Sequence, residues 1–185
     1  MEYKAQMGDI FLVDSDKTGA KITKFFMQAP TIYQWLWRKI RGTQEVVNYY
    51  HAGMILGNDQ LIEQEAKVEY GDLQKRLTQR IVIYRNKNLN LDQMILLRFR
   101  AISQLGQGYG IEDIIAHTLT WLTGIRLFVI LIGSLTRNTD ICVNRVARWY
   151  NHIDNFGINW YEVTTKTMDE YCSKSSDWER VYING

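Results

Sequence analysis

Proline is nearly missing from this chain. It has 1 among 185 residues, alongside 13 glycines and no repeated or low-complexity tract, which excludes proline-rich linkers and disordered spacers. Cysteine occurs only twice, at Cys142 and Cys172, too few for a disulfide scaffold. Two thiols without a secretion signal fit a reduced compartment and leave a thiol available for chemistry. Histidine occurs 3 times, with no CxxC, HxxxH or HExxH spacing, so neither a metal site nor a cofactor is expected. An excess of either charge is also lacking: 22 basic and 20 acidic residues leave +2, a field too weak to make nucleic acid the partner. The longest apolar run, "IRLFVILIG" at 125–133, is broken by Arg126 and falls short of the roughly 20 residues of a spanning helix, so it is expected to be buried. The opening "MEYKAQMGDIFLV" carries an acid at position 2 and a short apolar run. It does not read as a secretory signal, and a cytoplasmic location is expected, with export by another route left open.

What the chain does have is aromatic and apolar material: 6 Trp, 11 Tyr, 6 Phe and 46% hydrophobic residues, enough for one domain over 1–185 with a sizeable core. "GDIFLVDSD" (8–16) reads as a Gly-Asp turn entering a strand, and "TGAKITKFFMQ" (18–28) and "TIYQWLWRKIRG" (31–42) as helices. "YYHAGMILGNDQLIEQEA" (49–66) reads as a hairpin around "GNDQ", and "RIVIYR" (80–85) as another strand. Residues 90–109 space Ile95, Leu96, Phe99, Ile102 and Leu105 as the stripe of an amphipathic helix. Helices follow at 111–124 and 138–153, the latter capped by Thr139 or Asp140 and presenting Val143, Val146, Ala147 and Tyr150 on one face. "WERVYI" (178–183) is a last strand. The pattern is α+β, with a small antiparallel sheet packed against helices.

Cys142 falls in the first turn of its predicted helix. There the unpaired backbone N–H groups and the positive end of the dipole favour a thiolate and face a developing oxyanion. Free cysteines are usually small buried hydrophobes, so the thiol needs a base. His51 heads a strand whose small neighbours Ala52 and Gly53 leave its imidazole on one definite face. His117 lies within an apolar helix, and His152 stands about 15 Å along the helix from Cys142. The partner that would orient His51 lies in "LIEQEA". A three-residue loop places Glu63 and Glu65 on the face of His51, whereas a two-residue loop gives Gln64.

The order "GDI", "HAGMILGNDQLIE" and "DICVNRVARWY" resembles the circularly permuted branch of the NlpC-like papain-fold hydrolases, the YiiX-like proteins, with lecithin retinol acyltransferase as a relative. The resemblance runs from Gly8 to Tyr150. It implies a permuted papain-like fold, with a small sheet or half-barrel against helices. It also implies a cysteine peptidase or amidase in which Cys142 is the nucleophile, His51 the general base and Glu63, twelve positions later, the orienting residue. "GQGYGIEDI" resembles the segment that precedes the cysteine helix in that branch, which makes Tyr109 a substrate-binding candidate. Val143 and Asn144 stand where the branch often has Ser-Glu, and Glu65-Ala66 resembles an orienter pair of some members, so Glu65 stays open beside Glu63. The implied substrates are peptides, peptidoglycan peptides or acyl lipids.

A second expectation, from another class, is a lipid- or acyl-binding module or a phospholipid acyltransferase of the same fold. "YQWLWRKIR" and the 125–133 run would form a greasy mouth with a cationic rim in peripheral contact with a membrane, and residues 18–48 would be a lid or insertion.

Overall fold

The computed structural model describes residues 3–14, 48–108 and 141–184, together with the single positions 33, 36, 39, 40, 119, 122 and 123. The lid expected at 18–48, the helix at 18–28, the buried run at 125–133, and His117 and Tyr109 lie outside the described residues, apart from the few single helical positions.

Six strands form one antiparallel sheet: β1 (Ile10–Asp14), β2 (His51–Gly57), β3 (Gln60–Gln64), β4 (Val68–Asp72), β5 (Arg80–Asn86) and β6 (Trp178–Asn184), in the order β4-β3-β2-β1-β5-β6. Among the described residues four helices accompany it: α1 (Leu73–Leu77), α2 (Leu91–Ile102), α3 (Cys142–Tyr150) and α4 (Thr165–Lys174), with a short 3₁₀ turn at Trp160–Glu162.

Strand alternation sorts the interior into two layers. Ile10, Leu12, Ala52, Met54, Ile62, Val82 and Tyr84 point to one face and pack with α2, α3 and α4. Phe11, Val13, Ile55, Leu61, Ile81 and Ile83 point to the other, where α1 contributes Leu73 and Leu77. The Gly-Asp turn that opens β1 is structural. Gly8 takes φ 91°, and the buried Asp9 carboxylate accepts from Arg85 Nε (2.8 Å) and Nη2 (2.7 Å), from Tyr3 Oη (2.6 Å) and from the Gln6 backbone N–H (3.0 Å). A charge that deep is stable only with such a complete set of donors.

Three expectations are corrected. α3 begins at Cys142 with Ile141 as its cap residue, not Thr139 or Asp140, and Ile141 has no side-chain oxygen to bond the first-turn N–H groups. In α2 the inward side is Leu97 and Ala101, and of the expected stripe Ile102 and, just past the helix, Leu105 do pack against the core, whereas Ile95, Leu96 and Phe99 are exposed. The small Ala101 lets α2 approach α3, and Arg100 Nη1 donates to the Trp149 carbonyl oxygen at 3.0 Å. Finally, β4 and α4 carry sheet and core where the sequence pattern indicated nothing. α4 has a signal in its capping box: Thr164 Oγ1 accepts from the Thr167 backbone N–H at 3.1 Å, and Thr167 Oγ1 accepts from the Thr164 N–H at 2.8 Å.

Candidate active site

The β2–β3 hairpin sets the geometry. Asn58 and Asp59 take φ 50° and 59°, the two left-handed residues of a tight two-residue turn, and Gly57 pairs with Gln60. By itself this turn would bring Gln64 to the face of His51. A bulge between Ile55 and Gly57 moves the register by one residue, so that Ile55 pairs with Leu61 and Gly53 with Glu63. The bulge therefore decides which side chain meets the histidine, because one residue of slip exchanges the two faces of a strand.

His51 and Glu63 stand diagonally across the hairpin, and His51 Nε2 lies 2.8 Å from Glu63 Oε2 with both side chains buried. Glu65 follows the end of β3, is 58% exposed, and does not hold the imidazole. Gln64 points to the opposite layer, where its Oε1 accepts from Arg145 Nε at 3.4 Å. With Nε2 committed to Glu63, Nδ1 is the nitrogen left for a second partner. Cys142 is the second group that acts on the imidazole: its sulfur, like the Glu63 carboxylate, favours the protonated ring. The interaction joins the first residue of β2, His51, to the first residue of α3, Cys142.

Two glycines make room for this cluster. A Cβ on Gly53 would stand 2.3 Å from the Phe11 ring, which crosses the strand at this point and packs 6.3 Å from the imidazole, centroid to centroid. A Cβ on Gly71 would stand 2.6 Å from Glu63 Oε1.

Two buried arginines escaped sequence reasoning. Arg76 in α1 donates from Nε to Glu63 Oε2 (3.0 Å) and Oε1 (3.2 Å), places Nη2 2.8 Å from Oε2, and bonds Glu65 through Nη2. Arg145, one turn after Cys142 and fully buried, donates from Nη1 to Gln107 Oε1 (2.7 Å) and Gln104 Oε1 (3.1 Å), pinning the segment that follows α2 against α3. Neither sits in a pattern that distinguishes it from the solvated arginines nearby. The one local hint for Arg76 is Asp72, which caps its short helix by accepting from the Gln74 backbone N–H at 2.8 Å.

Burial opposes a charge on His51, but the Cys142 sulfur and the Glu63 carboxylate outweigh it and raise its pKa to about 9. For Glu63, burial would favour the acid, yet the bonds and charges of His51 and Arg76 hold it below the ordinary carboxylate range. The other thiol behaves oppositely: burial, with Asp154 and Asp169, pushes Cys172 far up, as expected of an inert core cysteine.

A group whose pKa is raised on folding adds stability that is complete below its unfolded value, near 6.5, and is lost as pH rises through the folded value. NMR titration of the His51 ring is expected to show a midpoint near 9, and the melting temperature is expected to decline between about pH 7 and 9.5. Cys142→Ala should move that midpoint down. A His51 midpoint below 6.5 in the wild type would contradict this electrostatic arrangement.

No family model matches the chain, and no curated protein matches its sequence. The fold is similar to the crystal structure of metalloprotein yiiX from Escherichia coli O157:H7, DUF1105, with a TM-score of 0.57, 16% identity, and coverage of 98% of this chain and 99% of that chain. The protein is thus a small α+β domain of YiiX-like fold. Among the described residues no helix is long and apolar enough to cross a membrane.

Proposed function

We propose that this protein is a cysteine hydrolase of the peptidase or amidase type. The observation that carries the reading is a buried imidazole, His51, bonded to the Glu63 carboxylate and acted on by the sulfur of the buried Cys142. The Cys142 sulfur, its proton passed to His51, attacks the carbonyl carbon of an amide or ester, and an S–C bond forms. The backbone N–H at the start of α3 stabilises the oxyanion. Collapse breaks the C–N or C–O bond as the imidazolium returns its proton to the leaving amine or alcohol, leaving an acyl thioester. Water, deprotonated by His51, then releases the acid and restores the thiol. Glu63 holds the imidazole in the required tautomer throughout. The permuted papain-like arrangement belongs to the same reading, with base and orienter on an early hairpin and the nucleophile on a late helix. Peptidoglycan peptides are the substrate class it suggests.

The fold neighbour is described as a metalloprotein. In this chain no group of three or more His, Cys, Asp or Glu among the described residues is placed to hold a metal ion. Glu63 Oε2 already takes His51 Nε2 and Arg76 Nε, so this carboxylate does not fit the part of a metal ligand.

The acyl-lipid alternative has one observation in its favour. Tyr33, Leu36 and Ile40 are helical, spaced i, i+3 and i+7, and exposed, within a stretch containing Arg38, Lys39 and Arg41.

One experiment tests both readings. Iodoacetamide with mass mapping should label Cys142 at least about 30-fold faster than Cys172 at pH 7: a full thiolate exceeds an ordinary thiol by about that factor, and the raised Cys172 only widens the margin. A panel of peptidoglycan peptides, simple esters and phospholipids in anionic vesicles then reports the acyl group accepted, and Cys142→Ala should abolish turnover. Equal, slow labelling of both cysteines would refute the nucleophile. Turnover of phospholipid alone would favour the second reading.

A further inference from the structure

We propose that Arg76 is a positioning residue of this site, the group that fixes the Glu63 carboxylate in the orientation His51 needs. The inference rests on the Cys142–His51–Glu63 reading above. Glu63 reaches the imidazole diagonally across a twisted hairpin, and a glutamate carries three side-chain torsions. A hydrogen bond to His51 through Oε2 leaves the carboxylate free to rotate about its last torsion and leaves Oε1 to find its own donor. Arg76 removes both freedoms. Its Nε bonds both oxygens and its Nη2 the nearer one, the planar fork that a guanidinium presents and an ammonium cannot.

The rest of the local structure is built around that grip. α1 is only a turn and a half long and is buried at Leu73 and Arg76. Gly71, paired with Leu61 on the neighbouring strand, leaves open the space that the carboxylate occupies. The outer side of Arg76 is tied to the exposed Glu65 and, through Nη1, to Gln79 Oε1 at 3.2 Å, so the guanidinium is itself held from the solvent side. The result is a row of ionisable groups, from the Cys142 sulfur through His51, Glu63 and Arg76 to Glu65 at the surface. Charges this deep remain ionised only with such partners.

Two roles are separable because they predict opposite signs. If Arg76 merely drew charge away from Glu63, its removal would, at pH values where Glu63 stays ionised, strengthen the His51–Glu63 pair and favour the thiolate. As a positioning residue its loss lets Glu63 turn from the imidazole, and the thiolate is disfavoured.

The test is the rate of Cys142 alkylation by iodoacetamide between pH 4 and 10, on the full chain, for wild type, Arg76→Met, Arg76→Lys, Arg76→Ala and His51→Ala, each checked for folding by circular dichroism. At pH 6, Arg76→Met is expected to react about 10- to 100-fold more slowly than wild type, by analogy with the loss of a group that orients a metal-ligating histidine or carboxylate. The acid limb of its profile should move to higher pH. Arg76→Lys should be intermediate, and millimolar methylguanidinium should restore part of the rate to Arg76→Ala. A wild-type or faster rate in Arg76→Met overturns the proposal, as does a slower rate with an unmoved pH midpoint, which would mark a purely structural role. If Arg76→Met does not fold, a wild-type profile in folded Arg76→Lys overturns it equally. If instead wild type and His51→Ala react alike, the failure belongs to the Cys142–His51 pair itself.

Discussion

In the proposed hydrolase, replacing His51 by alanine is expected to lower kcat/KM for an amide substrate by about 10³-fold or more in the protein that remains folded. Two effects multiply. Without the imidazolium, the Cys142 thiol returns towards the ordinary value near 8.5, and only about 3% of it is thiolate at pH 7. Without the imidazole there is also no acid to protonate the leaving amine, a contribution of about 10²- to 10⁴-fold. The two effects separate on an ester with a good leaving group, which needs no protonation and should lose only about 30-fold. Retention of full amide turnover by His51→Ala would mean that another base serves the thiol. His51 interacts with Cys142 and is bonded to Glu63, whereas His152 lies beyond the far end of α3, so the structure offers no substitute among the described residues.

The largest loss of stability is expected at a residue with no side chain. A methyl group on Gly53 would lie 2.3 and 2.5 Å from two atoms of the Phe11 ring and 2.9 Å from the Ile62 carbonyl oxygen. Neither neighbour has room to retreat: Phe11 is fully buried in the layer beneath the sheet, and the carbonyl belongs to a paired strand. Gly53→Ala should therefore cost about 3 kcal/mol, the upper part of the range for overpacked cores. In a domain of this size that corresponds to a fall of about 6–12 °C in melting temperature. Because Phe11 packs beside the imidazole, the same variant should also slow Cys142 alkylation in the protein that remains folded. A melting temperature within 2 °C of wild type would show that the ring can move aside and that Gly53 is dispensable.

Much of the fold was legible. The strands at Ile10–Asp14, His51–Gly57, Gln60–Gln64 and Arg80–Asn86 follow from short alternating or continuous apolar runs between turn residues, and the tight turn is announced by Gly-Asn-Asp. α3 follows from Val143, Val146, Ala147 and Tyr150, all fully buried. β4 was hidden because it is an edge strand whose Glu69 and Gly71 are half-buried and whose Tyr70 and Asp72 face solvent, so it shows no apolar periodicity. The stripe on α2 misled because an exposed Phe99 and a buried Leu97 are equally apolar in sequence, and only the approach of α3 distinguishes the side that faces inward.

In the candidate site the division is sharper. Sequence alone, through turn chemistry and periods of 2 and 3.6 residues, places a histidine at the head of a small-residue strand, acids after a tight turn, and a cysteine at the opening of a later helix. It left Glu63, Gln64 and Glu65 as rivals, since register depends on a bulge that no residue type announces. Tertiary structure alone chose Glu63, brought Cys142 to His51 at the start of β2, and placed Arg76, one of several basic residues in its stretch, against the buried carboxylate. The reason is that a buried charge is defined by what surrounds it in space, and residues 51, 63, 76 and 142 become neighbours only when both layers have closed on the sheet.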